Sequence, residues 1–265
     1  MRGLIKTVLQ SVRKSADPAR DGTEPAQAPP AAVSAARRAH EGNIWPNEGA
    51  TEGNAVYYPE VFEAWDLASA KVIALTHDGK LSTEERWAVE TEFTIEHIAS
   101  RVALGESHRV IDFGCGAGRM SRALIERFGC TVVGIDISQG MRRQAVAYVD
   151  SPRFTAAAPQ EFDALVQAGF VADFGLACWS LQHCIHPAVE VARIANGLAM
   201  EAPFMLFNSN LRLVPTDRGW HGDGENVDTL MAGRFTELER FKLPPEVAGQ
   251  STIDTTSASW WQRRV

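Results

Sequence analysis

The sequence contains few cysteines, and their positions match no common metal site or disulfide framework. Only four occur in 265 residues, namely Cys115, Cys130, Cys178 and Cys184. No two of them form a C-x-x-C pair, and none has the histidine spacing of a zinc site. We therefore expect reduced, mostly buried thiols in a cytoplasmic protein without a bound metal.

Long hydrophobic runs are also missing. No apolar stretch approaches the roughly 18 residues of a membrane-spanning helix, and Lys6 interrupts the only candidate for the apolar part of a secretory signal. Hydrophobic residues nevertheless make up 45% of the chain, which is enough for a large core and excludes global disorder. A soluble protein is expected.

Positive charge is scarce outside the N-terminal end. The net charge is −7, but residues 1–40 carry seven basic and three acidic side chains, a balance of +4. The remaining residues carry 19 basic and 30 acidic side chains, a balance of −11. An acidic surface of this kind does not bind phosphate backbones, so no nucleic-acid partner is expected.

The N-terminal end has its own pattern. Within residues 1–14 the apolar side chains form one stripe on a short basic helix. A linker rich in proline and alanine follows at residues 17–34, and residues 1–43 together are predicted to be flexible. Residues 1–14 are interpreted either as a contact with an anionic membrane or a partner protein, or as an end without function.

Strands and helices are predicted to alternate from residue 86 onwards, after a helical extension at residues 44–85. In the extension's last turn, Ser82 and Glu85 form a capping box that starts a helix running to about Val102. Predicted strands at residues 109–113, 131–135, 153–155, 173–179 and 203–208 are separated by predicted helices at 119–128, 138–149, 159–168 and 187–198. This alternation indicates an α/β fold, a mostly parallel sheet flanked by helices. Residues 235–243 and 257–265 are expected to add the last strands.

A glycine-rich turn joins the first strand to its helix. In Val110–Arg119 the strand leads directly into Gly114, Gly116 and Gly118, which allow a sharp turn and the close approach of a ligand. Asp136 ends the second strand, where a carboxylate can accept hydrogen bonds from both hydroxyls of a ribose. Strand, glycines and acid together predict a nucleoside site.

This pattern resembles motif I of the class I S-adenosylmethionine-dependent methyltransferases, which have a Rossmann-like fold. The resemblance covers about residues 92–208 and rests on Ile111–Gly118, Asp136, Ala172–Leu176 and Trp179–His183. It implies S-adenosylmethionine as cofactor. The residues that it implies for cofactor binding are Asp112, Gly114, Cys115, Gly116, Gly118, Asp136, Ile137, Ala158 and Trp179, with Cys115 more typical of packing than of a nucleophile.

Two departures from the family pattern concern neighbouring turns. The acid that often follows the third strand and binds the adenine amino group is absent from Thr155–Pro159, so backbone groups of Ala158 or the side chain of Gln160 would have to replace it. The usual glycine before the fifth strand is missing from Leu198–Ala202, which indicates a different turn.

Three histidines are candidates for a general base. His183 and His186 follow the fourth strand at the ligand-binding edge of the sheet, and His221 lies in a polar, glycine-containing loop. His183 and His221 are the favoured candidates. The alternative for His183 is a structural hydrogen bond that braces its loop.

Aromatic residues near both ends also allow two interpretations. Tyr57, Tyr58 and Trp65 are expected either to cover the cofactor as a lid or to pack an extra helix. Trp260 and Trp261 alternate along a strand, so one is expected to face the core and the other solvent.

Together these features predict methyl transfer from S-adenosylmethionine to a small or carrier-linked acceptor, with oxygen favoured over nitrogen or carbon. A lipid-linked or polymeric saccharide would fit if residues 1–14 bind membranes. An amino-methylating DNA enzyme is disfavoured, because Cys178–Leu181 lacks the expected Asn/Asp-Pro-Pro-aromatic tetrad. The alternatives are an NAD(P)-dependent reductase, although no Tyr-x-x-x-Lys set is present, and a non-catalytic binding protein.

Overall fold

The computed structural model describes residues 55–265. The predicted basic helix, the linker and the start of the extension therefore lie outside the described residues. The described chain begins with a 3₁₀ turn at Pro59–Phe62, followed by helices α1 (Leu67–Ala74) and α2 (Thr83–Ala99). The predicted capping box starts α2: the Glu85 amide donates to Ser82 Oγ (3.3 Å) and the Ser82 amide donates to Glu85 Oε2 (3.0 Å). The predicted boundary at residue 86 falls inside this helix.

Within residues 55–265, seven strands form one sheet in the order β3-β2-β1-β4-β5-β9-β8. The nine strands of this part of the chain are β1 (Arg109–Phe113), β2 (Thr131–Ile135), β3 (Phe154–Ala157), β4 (Phe174–Cys178), β5 (Pro203–Ser209), β6 (Val214–Thr216), β7 (Gly219–His221), β8 (Phe235–Phe241) and β9 (Thr256–Arg263). The first five are parallel, whereas β9 runs antiparallel to both β5 and β8. The predicted mostly parallel sheet is confirmed, including the late strands.

Helices cover both faces of this sheet. They are α3 (Arg119–Phe128), α4 (Gln139–Val149), α5 (Pro159–Gln167), α6 (Pro187–Gly197), α7 (Val227–Ala232) and α8 (Gln250–Thr255). Local signals start several of them: Ser138 Oγ accepts the Met141 amide (3.0 Å) at α4, and a proline opens both α5 and α6. The two short helices, α7 and α8, were not predicted. No helix in residues 55–265 has both the length and the apolar character that crossing a membrane requires.

The side chains of the strands build two cores, one on each face of the sheet. Val110 packs in the core that contains Phe93 of α2, whereas its neighbour Ile111 packs in the core that contains Phe162 of α5. Because both faces are covered, the central strands are continuous apolar runs rather than alternating ones.

The expectation that either Trp260 or Trp261 faces solvent is wrong. Trp260 is 2% exposed and Trp261 is 1% exposed, one in each core. The physical reason is the position of β9, which lies between β5 and β8 rather than at the edge of the sheet. The side chains on both faces of β9 are therefore buried.

A segment that we call the strap, residues 55–66, crosses the carboxyl edge of the sheet. At one end the Tyr58 amide donates to the carbonyl of Pro215 (3.0 Å), beside the hairpin formed by β6 and β7. At the other end Ser138 Oγ donates to Glu63 Oε2 (2.8 Å), and Gln144 Nε2 donates to the carbonyl of Trp65 (3.1 Å). The strap therefore joins the hairpin to the start of α4.

Candidate functional site

A cavity of about 540 Å³ opens at the carboxyl ends of β1, β2 and β4. Ligands of open α/β sheets bind at this edge. Its walls include the glycine-rich turn after β1, the turn after β2, residues 178–193 and the strap, together with residues of α1, α2, α4 and the start of α5. The hairpin contributes Trp220, and Leu213 precedes it.

The glycine-rich turn needs glycine for steric reasons. Gly114 and Gly118 have φ angles of 69° and 82°, in the left-handed region. A Cβ atom at Gly114 would collide with the Ser180 side chain, and one at Gly118 would lie 2.5 Å from Val149 Cγ2. The turn is fixed to β2 because the amides of Gly114 and Cys115 both donate to the carbonyl of Ile135.

Asp136 lies where the sequence predicted an acid, at the end of β2 and on the cavity wall. Its Oδ2 accepts the Gly116 amide (2.9 Å) and its Oδ1 accepts the Ser138 amide (2.9 Å). Burial raises the pKa of this carboxyl. The side chain thus holds the glycine-rich turn while each oxygen keeps room for a further donor. Ile137 follows on the wall and is 52% exposed.

Asp112 and Cys115 line the floor of the cavity. Asp112 is 2% exposed, accepts a hydrogen bond from Ser121 Oγ (2.6 Å), and has its pKa raised to about 6 by burial. Burial also raises the pKa of the Cys115 thiol well above its usual range. The thiol is therefore protonated at neutral pH, which fits a packing residue better than a nucleophile.

A buried ionic cluster under one end of the cavity was not predicted. Glu90 is fully buried and accepts hydrogen bonds from Arg86 Nε (3.3 Å), Arg119 Nη2 (2.9 Å) and Trp179 Nε1 (2.7 Å). Both guanidinium groups and Trp179 line the cavity. Arg119 also lies within electrostatic reach of the Asp112 carboxylate, so the two guanidinium groups are balanced by two carboxylates. The i,i+4 spacing of Arg86 and Glu90 was visible in the sequence, but it is equally typical of an exposed helix pair.

His183 is held on both ring nitrogens. Its Nδ1 lies 2.7 Å from the carbonyl of Leu213, which can only accept, so Nδ1 carries the proton. Its Nε2 lies 3.3 Å from Gln182 Nε2 and accepts from that amide. Burial lowers the pKa of His183 to about 4. This geometry favours the predicted alternative, a histidine that braces its loop.

The other two histidines differ in their access to the cavity. His186 is exposed and lines the rim at the start of α6. His221 is the last residue of β7, not part of an irregular loop, and it is not among the lining residues. Its neighbour Trp220 does line the cavity, and successive side chains of a strand point to opposite faces. The structure therefore brings His183 and His186 to the site but not His221.

The predicted adenine contacts of Ala158 and Gln160 have no geometric support. Neither residue is among those lining the cavity, although the adjacent Pro159 is. The Ala158 amide donates to Glu161 Oε2 (2.6 Å) and its carbonyl accepts the Phe162 amide (2.9 Å). These are the bonds that start α5, so the backbone of Ala158 serves as a helix cap.

Of the three aromatic residues expected in a lid, only Tyr57 lines the cavity. Phe62, which the sequence did not single out, also lies on the wall. Its ring centroid is 5.3 Å from that of His183 and 6.1 Å from that of Trp220, while His183 and Trp220 are 5.3 Å apart. Strap, hairpin and the loop after β4 therefore meet in one aromatic wall.

Comparison with known proteins agrees with this geometry. Residues 110–198 match a family model described as a methyltransferase domain. Over 73 residues the chain is 37% identical to trans-aconitate 2-methyltransferase of Delftia acidovorans, which covers 27% of each chain. Over 55 residues it is 38% identical to geranyl diphosphate 2-C-methyltransferase of Saccharopolyspora erythraea, which covers 21% of this chain and 18% of that one. The matches thus span about a quarter or less of these relatives.

A solved structure shares the fold over a longer stretch. Magnesium protoporphyrin IX methyltransferase of Synechocystis PCC 6803, solved with bound SAH, is 15% identical and gives a TM-score of 0.50. The superposition covers 71% of this chain and 90% of that one.

Proposed function

The chain carries a class I S-adenosylmethionine-dependent methyltransferase domain, and from this premise we propose that the protein transfers a methyl group from S-adenosylmethionine to a small-molecule acceptor. The observation that carries the proposal is the joint placement of the glycine-rich turn and Asp136 on one cavity wall. When bound, S-adenosylmethionine supplies an electrophilic methyl group on a sulfonium sulfur.

The residues present fit this cofactor. The three glycines leave backbone without Cβ atoms beside the cavity, and Asp136 offers carboxylate oxygens to ribose hydroxyls. Arg86 and Arg119 also line the cavity, and a guanidinium group there can bind the carboxylate of the methionine half. Holding the cofactor in this orientation leaves alignment of the acceptor as the main task of catalysis.

The acceptor would lie against the aromatic wall formed by Phe62, His183 and Trp220. Flat or apolar groups pack well on such a wall. The relatives named above act, by their names, on trans-aconitate and geranyl diphosphate, which supports a small molecule as the acceptor. A saccharide acceptor depends on residues 1–14, which lie outside the described part of the chain.

O-methylation needs a base that can take up a proton near neutral pH. Among the predicted histidines, we assign this role to His186, because it is exposed on the rim whereas both nitrogens of His183 are bonded. Replacing it, His186→Gln, should lower kcat at neutral pH about 100-fold and leave S-adenosylhomocysteine binding unchanged. An unchanged kcat would exclude His186 as the base.

Calorimetry tests the proposed cofactor. We expect the protein to bind S-adenosylhomocysteine and not NADH, and Asp136→Asn to weaken the binding at least about tenfold because one acceptor oxygen is lost. Asp254→Asn, an equivalent change at an exposed aspartate of α8, serves as the matched control and should bind like the unmodified protein.

The outcomes separate the competing functions. Binding of NADH without S-adenosylhomocysteine would overturn the methyltransferase proposal in favour of a reductase. Binding of S-adenosylhomocysteine without turnover on any acceptor tested would favour a non-catalytic binding protein.

A further inference from the structure

The adenine ring of the proposed cofactor carries a polar group that needs a hydrogen-bond partner in the cavity. Its 6-amino group carries two N–H donors, and leaving a buried donor unbonded costs affinity. After β3, where Thr155–Pro159 holds no acid, the Ala158 amide and carbonyl are both committed to the start of α5. The acceptor must therefore come from another element. This inference rests on the proposed cofactor.

Three carboxylates line the cavity, and two are already committed. Asp112 lies on the floor and accepts from Ser121. Asp136 accepts backbone amides on both oxygens at the ribose position. Glu190, in the first turn of α6, pairs through Oε2 with Arg193, and Oε1 has no hydrogen bond among the described residues. Glu190 thus offers a carboxylate oxygen to the cavity.

Glu190 is held next to α5 through Arg193. Arg193 pairs with Glu190 and also with both oxygens of Asp163 (2.8 and 3.1 Å). Asp163 lies one helical turn after Pro159, which itself lines the cavity. The arginine thereby fixes Glu190 beside the turn after β3, where the missing acid would have stood.

A second observation is that Tyr57 lies within electrostatic reach of both Glu190 and Asp136. The pKa of the Tyr57 phenol is raised to about 12, chiefly by burial, with further contributions from Cys184 and from the carboxylates of Glu190, Glu60 and Asp136. Tyr57 also lines the cavity. The phenol therefore lies within electrostatic reach of both carboxylates, on the wall of the same cavity.

We propose that Glu190 accepts a hydrogen bond from the 6-amino group of adenine and replaces the acid that is absent after β3. Arg193 and Asp163 act as positioning residues, because Arg193 bonds both Glu190 and Asp163, and Asp163 does not line the cavity. Glu190 then determines the selectivity for a 6-aminopurine over purines without this donor.

The test compares two ligands by calorimetry on the full chain. One is S-adenosylhomocysteine, and the other is its analogue with hydrogen in place of the 6-amino group. Glu190→Ala should weaken binding of S-adenosylhomocysteine about 10- to 100-fold, because a hydrogen bond to a charged group is lost. The same change should leave the affinity for the analogue within about twofold.

Two further variants complete the design. Glu190→Gln keeps an amide oxygen as acceptor, so it should retain much of the discrimination and remains informative if Glu190→Ala does not fold. Asp163→Asn removes the outer partner of Arg193 but leaves the cavity carboxylate, so it should bind both ligands nearly as the unmodified protein does.

Equal weakening of both ligands by Glu190→Ala would overturn the assignment, as would unchanged binding of both. Either result would leave the cofactor proposal intact if the unmodified protein binds S-adenosylhomocysteine. Failure of the unmodified protein to bind that ligand would overturn the proposed function itself.

Discussion

The glycines in the turn after β1 differ in what an added Cβ atom would contact. At Gly116, with φ of 52°, an added Cβ would lie 3.8 Å from Ala74 Cβ, an ordinary contact. At Gly118, with φ of 82°, it would lie 2.5 Å from Val149 Cγ2 and 3.3 Å from Ala145 Cβ of α4. Within the protein, Gly116 thus serves the backbone conformation, whereas Gly118 also permits α4 to approach.

This difference predicts unequal losses of stability. Gly116→Ala should lower the free energy of unfolding by about 1–2 kcal/mol, the cost of a left-handed alanine. Gly118→Ala adds overpacking of about 1–3 kcal/mol and should lower it by more. Urea denaturation of both variants measures the two values. Equal losses would show that α4 moves away at no cost and contradict the predicted role of Gly118.

Residue chemistry alone identified some site residues and missed others. Asp136 could be predicted because strand, glycines and acid are fixed along the sequence. The ionic cluster of Glu90, Arg86 and Arg119 could not be predicted, because it forms only when α2 packs behind the cavity floor. The sequence left two interpretations of His183 open. Only the position of Leu213, thirty residues later, decides which ring nitrogen carries the proton.

At the scale of elements, the strap is held to the rest of the site by hydrogen bonds at its two ends. It is tied to the hairpin by reciprocal bonds: the Val56 amide donates to Asp217 Oδ1 (2.9 Å), and the Asp217 amide donates to the carbonyl of Val56 (3.0 Å). Between these anchors and α4 it lays Tyr57 and Phe62 across the cavity. Such a segment can open without unfolding the sheet.

If the strap is a lid, cofactor binding should protect it. We expect saturating S-adenosylhomocysteine to slow hydrogen exchange of the Tyr58 and Asp217 amides by at least about tenfold, because opening then requires loss of ligand contacts. The Gly233 amide, bonded to Leu230 in α7 away from the cavity, is the control and should not change. Unchanged exchange at Tyr58 would indicate that the segment merely packs an extra helix.

The hairpin shows why some elements could not be predicted from the sequence. Residues 210–226 are polar and contain glycines, which is typical of a loop. Strands of three residues, β6 and β7, carry too few positions to show an alternation. They are stabilised by distant contacts, with the strap on one side and Gln182, whose carbonyl accepts the Leu213 amide (3.0 Å), on the other. From β1 to β5, strands and helices alternate over a long stretch of sequence. They do not depend on such distant contacts and could be predicted.

At the scale of the whole molecule, β9 joins the late part of the described chain to the core that α2 covers. It pairs with β5 and β8, and Trp260 contributes to the same cluster as Phe93 and Ile98 of α2. His97, 9% exposed, is buried among these aromatic rings, with its centroid 4.1 Å from Phe241. A titratable group thus lies where helix and late strands meet.

The protonation of His97 makes the stability of this core depend on pH. Burial is the main cause that lowers its pKa to about 4, Arg101 lowers it further, and Glu239 opposes the shift. An unfolded histidine takes up its proton near pH 6.5. Between about pH 6.5 and 4 the unfolded chain therefore binds one proton more at this residue, so His97 destabilises the fold progressively as the pH falls through this window.

Replacing this side chain should remove that contribution. The difference in unfolding free energy between His97→Phe and the unmodified protein should rise in favour of the variant as the pH falls from 6.5 to 4. Urea titrations at several pH values measure it, and groups common to both proteins, such as Asp112, cancel in the difference. Ile98→Val, a core change in the same helix without a titratable group, should give a difference that is independent of pH. A flat difference for His97→Phe as well would mean that water reaches the imidazole, and that α2 and the late strands do not seal this core.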